Sequence, residues 1–219
     1  MKRNLAFLMI ILMALAMMFG NCSSGGSKPV ELWNGKDFTG WKLFIPGDSV
    51  DVNTVWMVKN GVVHCSGVPN GYMRTEAEYE NYELNLEWRW VTEPGNSGVL
   101  LHIQGGDAVW PKCLEAQLKA DNAGDFVLMG PSTLTVDGEK HDSTERFHGI
   151  PKKQESNEKP VGQWNSYRIV CEGNDVTLYV NGLLQNAGTA GSYSRGTIGL
   201  QSEGAPIEFR NITLESLGN

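Results

Sequence analysis

Residues 83–119 contain three runs, ELNLEWRWV (83–91), TEPGNSGVLLHI (92–103) and CLEAQLK (113–119), and each reads as an extended strand. In the first, Leu84, Leu86, Trp88 and Trp90 recur at every second position and share one face, which leaves Glu83, Asn85, Glu87 and Arg89 on the other. In the third, Leu114, Ala116 and Leu118 face one way, and Glu115, Gln117 and Lys119 the opposite way. Apolar rows of this kind lie on a core, and the polar rows become an outer surface. Same-face neighbours stand roughly 6.5 to 7 Å apart along a strand, close enough to grip one sugar ring together. The polar patch is therefore where we expect the site, on one sheet, although a plain solvated sheet face has the same pattern.

Working outward, the chain from Val30 onward shows strand after strand and almost no helical period. Short β-rich runs appear at WKLFI, VWMVKNGVVHCSG, DFVLMG, STLTVDG, SYRIVCEG, DVTLYVNG, GTIGLQS and IEFRNITLESL. Asn60-Gly61, Asp137-Gly138 and Asn181-Gly182 separate several of them and supply the positive φ that tight hairpins require. About a dozen strands with such turns predict an all-β antiparallel sandwich or jelly roll. The exception is residues 141–163, polar and without a period, which read as a long binding loop or a surface excursion. Trp33 and Trp41 read as core.

The N-terminus has a different character. Lys2 and Arg3 precede the apolar run LAFLMIILMALAMMF, which ends at Gly20-Asn21-Cys22. This is a secretory leader over residues 1–21, followed by a lipobox-like Cys22 that would carry the lipid, and by a flexible tether to residue 30. An ordinary signal peptide beside an incidental cysteine is the alternative. On the first reading the protein is exported and held at the bacterial envelope by its lipid alone, with residues 31–219 as a single domain. Of 219 residues, 18 are Lys or Arg and 25 are Asp or Glu, a net charge of −7 with no basic cluster, which argues against a nucleic-acid partner. Cys65, Cys113 and Cys171 lie in or beside strand-like runs, as small buried hydrophobes do, and their spacing matches no zinc site.

Several motifs in order carry a resemblance: LWNGKDFTGW near the start, Asn96-Ser97-Gly98 after EWRW, Glu115-Ala116-Gln117, GQWNSYRIVCEGNDVTLYVNG, and GTIGLQSEGAPIEFRNI near the end. Over residues 31–216 the chain resembles the 3-keto-disaccharide hydrolase domain family (DUF1080). The resemblance implies a concanavalin-like β-sandwich, carried by secreted or lipid-anchored bacterial proteins, that acts on 3-keto-glycosides. Many members follow the Glu-x-Gln motif with an acidic residue, whereas this chain has Leu118-Lys119 and then Ala120-Asp121.

A 3-keto sugar offers an elimination route: a base takes the C2 proton, a donor or cation holds the C3 oxygen, and an acid assists the leaving oxygen. Glu115 and Glu87 are candidate acids or bases, set against cross-strand ion pairs. His102, in the strand GVLLHIQ, and His148, in the predicted loop, are candidate imidazole bases, set against a satisfied buried ring and a plain surface histidine. Arg89 and Lys119 could stabilise an enolate, and Asn96 and Gln117 could hold hydroxyls. Arg146, Trp164, Gln201 and Glu203 complete the expected substrate contacts, while Arg210 reads as a structural pair. No cofactor is expected, because nothing resembles a nicotinamide-binding unit and a separate sugar 3-oxidoreductase must supply the ketone. No metal motif is present, and scattered Asp side chains leave a divalent ion open. A conventional two-carboxylate glycosidase and a non-catalytic carbohydrate-binding module are the alternatives.

Overall fold

The computed structural model describes residues 28–47, 50–144 and 146–218. The leader and Cys22 lie outside the described residues. In chain order the strands are β1 (Val30–Glu31), β2 (Trp41–Phe44), β3 (Trp56–Lys59), β4 (Val62–Cys65), β5 (Gly71–Thr75), β6 (Tyr79–Glu80), β7 (Tyr82–Trp90), β8 (Gly98–Gln104) and β9 (Lys112–Gln117). They continue as β10 (Phe126–Met129), β11 (Ser132–Val136), β12 (Glu139–Ser143), β13 (Phe147–Ile150), β14 (Asn165–Glu172), β15 (Asp175–Val180), β16 (Leu183–Gly188), β17 (Arg195–Ser202) and β18 (Ile207–Ser216). One sheet runs β16-β15-β14-β7-β18-β4-β3, with β1 also on β18; the second runs β13-β10-β9-β8-β17-β5-β2, with β6 on β17. β11 and β12 form a separate ribbon.

The period-two pattern explains how the sheets meet. Leu84, Leu86, Trp88 and Trp90 of β7 are buried at alternate positions, as are Tyr167, Ile169 and Cys171 of β14. They join Val99, Leu101, Leu114 and Ala116 of the second sheet in one inter-sheet core. Each large side chain so buried contributes about 1.5 to 3 kcal/mol. Trp33 and Trp41 belong to this core, and their indole N–H groups donate to the carbonyls of Gly61 and Leu32. Cys65, Cys113 and Cys171 are free and buried, and burial pushes the Cys65 thiol up to about 11.

Alternation fails in β8, where six successive residues from Gly98 to Ile103 are buried. Strands covered on both faces lose the alternating pattern. The cover is a second buried cluster on the outer face of the second sheet, made by Tyr72, Leu100, Ile103, Cys113 and Met129, with Phe44, Trp110 and Val127 packed against it. The connection 105–111 supplies Trp110 and is latched by Asp107, which accepts from Lys42 Nζ at 2.5 Å, Arg74 Nε at 2.8 Å and Tyr72 Oη at 3.1 Å. Burial raises the Asp107 carboxyl, but these donors outweigh it and hold the group at about 2.

Two expectations change. The polar rows of residues 83–91 and 113–119 do not share a sheet: β7 lies in the first and β9 in the second, so the rows form opposite outer surfaces. The predicted loop 141–163 is shorter than expected, because His141 to Ser143 end β12 and Phe147 to Ile150 make β13. The ribbon strand β12 packs on one side only and is mostly exposed, so its sequence lacks the apolar row that marks a strand. β5, written GYMRT, and β16, written LLQNAG, carry no alternation either and are found only by their pairing.

Candidate functional site

Register assembles one polar cluster. Glu115 of β9 stands opposite Val127 on β10 and Leu100 on β8, and Gln117 stands opposite Gly98. On β17, Gln201 stands opposite Tyr72. These positions share the outer face of the second sheet, beside the apolar cluster that Trp110 covers. The chain at Asn96 bridges to Glu203 and Gly204, which brings the end of β17 to the start of β8. Ser97 Oγ reinforces that junction by donating to the Gln201 carbonyl at 2.9 Å.

The Glu115 side chain is 4% exposed, and its Oε1 has no hydrogen-bond partner. No Lys or Arg among the described residues forms an ion pair with it. Burial, and then the charge of Glu203, push its carboxyl up to about 8, so Glu115 is mostly protonated at neutral pH. Burial likewise raises Glu203, more than a hydrogen bond from Asn96 lowers it. Gln201 is 1% exposed with neither amide atom partnered, and Asn96 Oδ1 is buried and unpartnered as well. Buried polar groups are usually satisfied, so four such atoms on Glu115, Gln201 and Asn96 point to a polar ligand.

Gly98 makes room for this arrangement. A Cβ at that position would lie 2.1 Å from Glu115 Oε1 and 2.7 Å from its Cδ, so the carboxyl rests directly on the glycine backbone. The obstruction is the Glu115 side chain from Cγ (2.8 Å) outward and no backbone atom, so that side chain must shift. Gly98→Ala is thus expected to keep the fold while displacing the carboxyl, lowering kcat by about tenfold or more, as small misplacements of a reacting group do. Unchanged kcat with an unchanged melting temperature would remove Glu115 from the chemistry.

The remaining expected residues are distributed elsewhere or serve the backbone. Gln117 Oε1 accepts from the N–H groups of Leu118 and Lys119 at 2.9 and 2.8 Å, turning the chain at the end of β9, and Lys119 is exposed just beyond it. His102 sits at a bulge with φ of 55°, which rotates it off the face that strict alternation from Leu100 would give it. It is fully buried, its Nδ1–H donates to the Tyr193 carbonyl at 3.0 Å, and its ring meets the core ring of Tyr82 edge-on. Burial pushes this imidazole down to about 4, against the Tyr193 bond, so it is neutral and turned toward the core.

Glu87, Arg89 and Trp164 gather on the outer face of the first sheet. There Arg210 binds Glu87 and Arg89 binds Glu208, both at 2.5 Å, with Trp164 stacked by the guanidinium of Arg210 at 4.0 Å and that of Arg89 at 4.6 Å. His148 is in register with the core residue Leu128, so it lies on the side of β13 opposite Glu115, where Nε2 meets Nδ1 of His141 at 3.3 Å. Arg146, by contrast, reaches the Glu115 face at its margin, 5.1 Å from the ring centres of both Trp110 and Phe147. Among the described residues no three His, Cys, Asp or Glu side chains converge on a metal position. Tyr72, Trp110 and Phe147 were not anticipated as neighbours of this face. Their signal, an apolar run too long for one buried face, is visible in GVLLHI but names no partner.

Comparison with known proteins bears on most of the chain. The model of the 3-keto-alpha-glucoside-1,2-lyase-like domain matches residues 28–215. A 3-keto-disaccharide hydrolase of Bacteroides thetaiotaomicron is 25% identical over 241 residues, covering 86% of this chain and 78% of that protein. A crystal structure from Parabacteroides distasonis shares the fold at a TM-score of 0.65 and 24% identity, covering 87% of this chain and 94% of the other. A carbohydrate binding module of Bacillus subtilis does so at 0.57 and 15%, covering 82% and 98%. The two structural likenesses show the concanavalin-like all-β sandwich that the motifs imply.

Proposed function

The chain belongs to the 3-keto-alpha-glucoside-1,2-lyase-like family, and from that membership we propose that it cleaves the glycosidic bond of 3-keto-glycosides on the Glu115 face of the second sheet. The observation that carries this reading is the unpaired, buried Glu115 carboxyl, held near 8 beside the unpartnered amide of Gln201.

A C3 ketone makes the C2 hydrogen acidic. Glu115, in its carboxylate form, takes that proton, and the electron pair of the C2–H bond moves onto the C3 oxygen as an enolate. Return of the pair forms a C1–C2 double bond and expels the C1 substituent with its bonding electrons. The leaving oxygen takes a proton from Glu203, whose raised affinity for protons suits it as the acid. Water then adds, hydroxyl to C1 and proton to C2, giving the free 3-keto sugar. Gln201 Nε2 is the donor for the enolate oxygen, held in a site that excludes water. A base with a pKa near the working pH is strong while keeping a usable ionised fraction.

A separate sugar 3-oxidoreductase supplies the ketone in this scheme. We propose further that the chain is exported by its leader and held at the bacterial envelope by lipid on Cys22, with a diacylglyceryl mass on the mature N-terminus as the expected sign of that anchoring.

Incubating the purified protein with a glucoside and with its 3-keto counterpart tests the reaction, with aglycone release expected from the keto form alone. Release from both would instead make Glu115 and Glu203 the paired carboxylates of a conventional glycosidase. Release from neither, with sugar binding retained, would make the domain a binding module.

A further inference from the structure

We infer that the corner formed by Trp110, Phe147 and Arg146 is the subsite for the leaving group, and that it selects a flat aromatic aglycone over a sugar. The inference rests on the reading of Glu115 as the reacting carboxyl. Phe147 is in register with Met129, and Met129 with Cys113, so these three form the row adjacent to Glu115 on the same outer face. Cys113 precedes Glu115 by two residues, or roughly 7 Å. Trp110 packs on the cluster that contains both Cys113 and Leu100, and Leu100 is the direct cross-strand neighbour of Glu115. A group expelled from C1 above Glu115 therefore leaves over the same outer face as the corner, with Phe147 two strands across and two residues along, about 12 Å away.

The chemistry of the corner favours an aromatic ring. Trp110 and Phe147 meet at 88° with centres 5.3 Å apart, so a planar ring can stack on one and meet the edge of the other. Phe147 is 43% exposed, which leaves its ring open to a ligand. The guanidinium of Arg146 is planar and already lies against both rings, and it stacks equally well on a third. A sugar would also need partners for its hydroxyls, and the adjoining cavity of about 320 Å³ offers few. It is lined by Gly105, Gly106, Ala108, Pro111, Gln104 and Lys112, and the Gln104 amide nitrogen already donates to the carbonyls of His102 and Arg195. The Asp107 latch holds this wall in place.

The test compares kcat/KM for a phenyl and a methyl 3-keto-glucoside in the wild-type protein and in Phe147→Ala, an exposed position where truncation leaves the core intact. The phenyl-to-methyl ratio is expected to fall about tenfold in the variant, the scale of one lost aromatic contact and its buried area. A ratio that does not change overturns the subsite. If the wild-type protein turns over neither keto substrate, the catalytic reading fails by itself. Quenching of tryptophan fluorescence by phenyl glucoside then decides the subsite: weaker binding to Phe147→Ala supports it, and equal binding overturns it.

Discussion

Glu115→Gln is expected to lower turnover of a 3-keto-glucoside by at least about 10²-fold, the range for losing a general acid or base, while making the protein more stable in alkaline solution. The two effects have one origin. The carboxyl is pushed up to about 8 in the folded chain, against an ordinary glutamate value of 4.5. A group whose folded pKa is raised contributes stability that is complete below its unfolded value and is lost as pH rises through the folded one. The loss therefore runs from about pH 4.5 to about pH 8, where the folded protein keeps a proton that the unfolded chain has released. Glutamine has the same shape and no proton to lose, so the variant escapes that slope. Melting temperatures of the two proteins from pH 5 to pH 9 should diverge up to about pH 8 and keep that separation above it, with Glu115→Gln the higher at the alkaline end. Parallel curves would mean that the carboxyl is solvated or paired in solution, and would remove the basis for assigning it the C2 proton.

The sandwich was legible because its central strands bury one face each: Leu84, Leu86, Trp88 and Trp90 announce β7 without reference to any other part of the chain. What sequence does not contain is the assignment of strands to sheets. Residues 83–91 and 113–119 have the same pattern, yet β7 and β9 lie on opposite layers, so Glu87 and Arg89 end in ion pairs on the far surface while Glu115 is buried without one. His102 shows a second limit. Counting by twos puts it beside Leu100, but a single bulge in β8 turns the ring toward Tyr82. Glu115, Gln201, Glu203 and Asn96 were each legible as polar positions near strand ends. Their convergence depends on the β8–β9 and β8–β17 registers, which no local pattern encodes. Trp110 and Phe147 were missed for the related reason that both lie in connections or edge strands, where an aromatic residue has no period to mark it.

Gln201→Leu is expected to lower kcat by about 10²-fold or more, the effect of removing one donor that stabilises a developing oxyanion, while leaving the melting temperature unchanged or higher. In the free protein neither amide atom of Gln201 has a partner, and the residue is 1% exposed. An unsatisfied buried group of this kind costs about 1 to 3 kcal/mol, and an apolar side chain of similar volume removes that penalty. Leucine also suits its surroundings, since Tyr72 stands opposite in register and Leu100 lies in the same outer cluster. A residue kept for packing would behave in the reverse way, with stability falling and turnover following it. Measuring kcat on a 3-keto-glucoside together with the melting temperature separates the two. Lost turnover in a more stable protein assigns the amide to the enolate oxygen. A less stable protein with normal kcat assigns it to the sheet, and leaves Asn96 as the donor on this face.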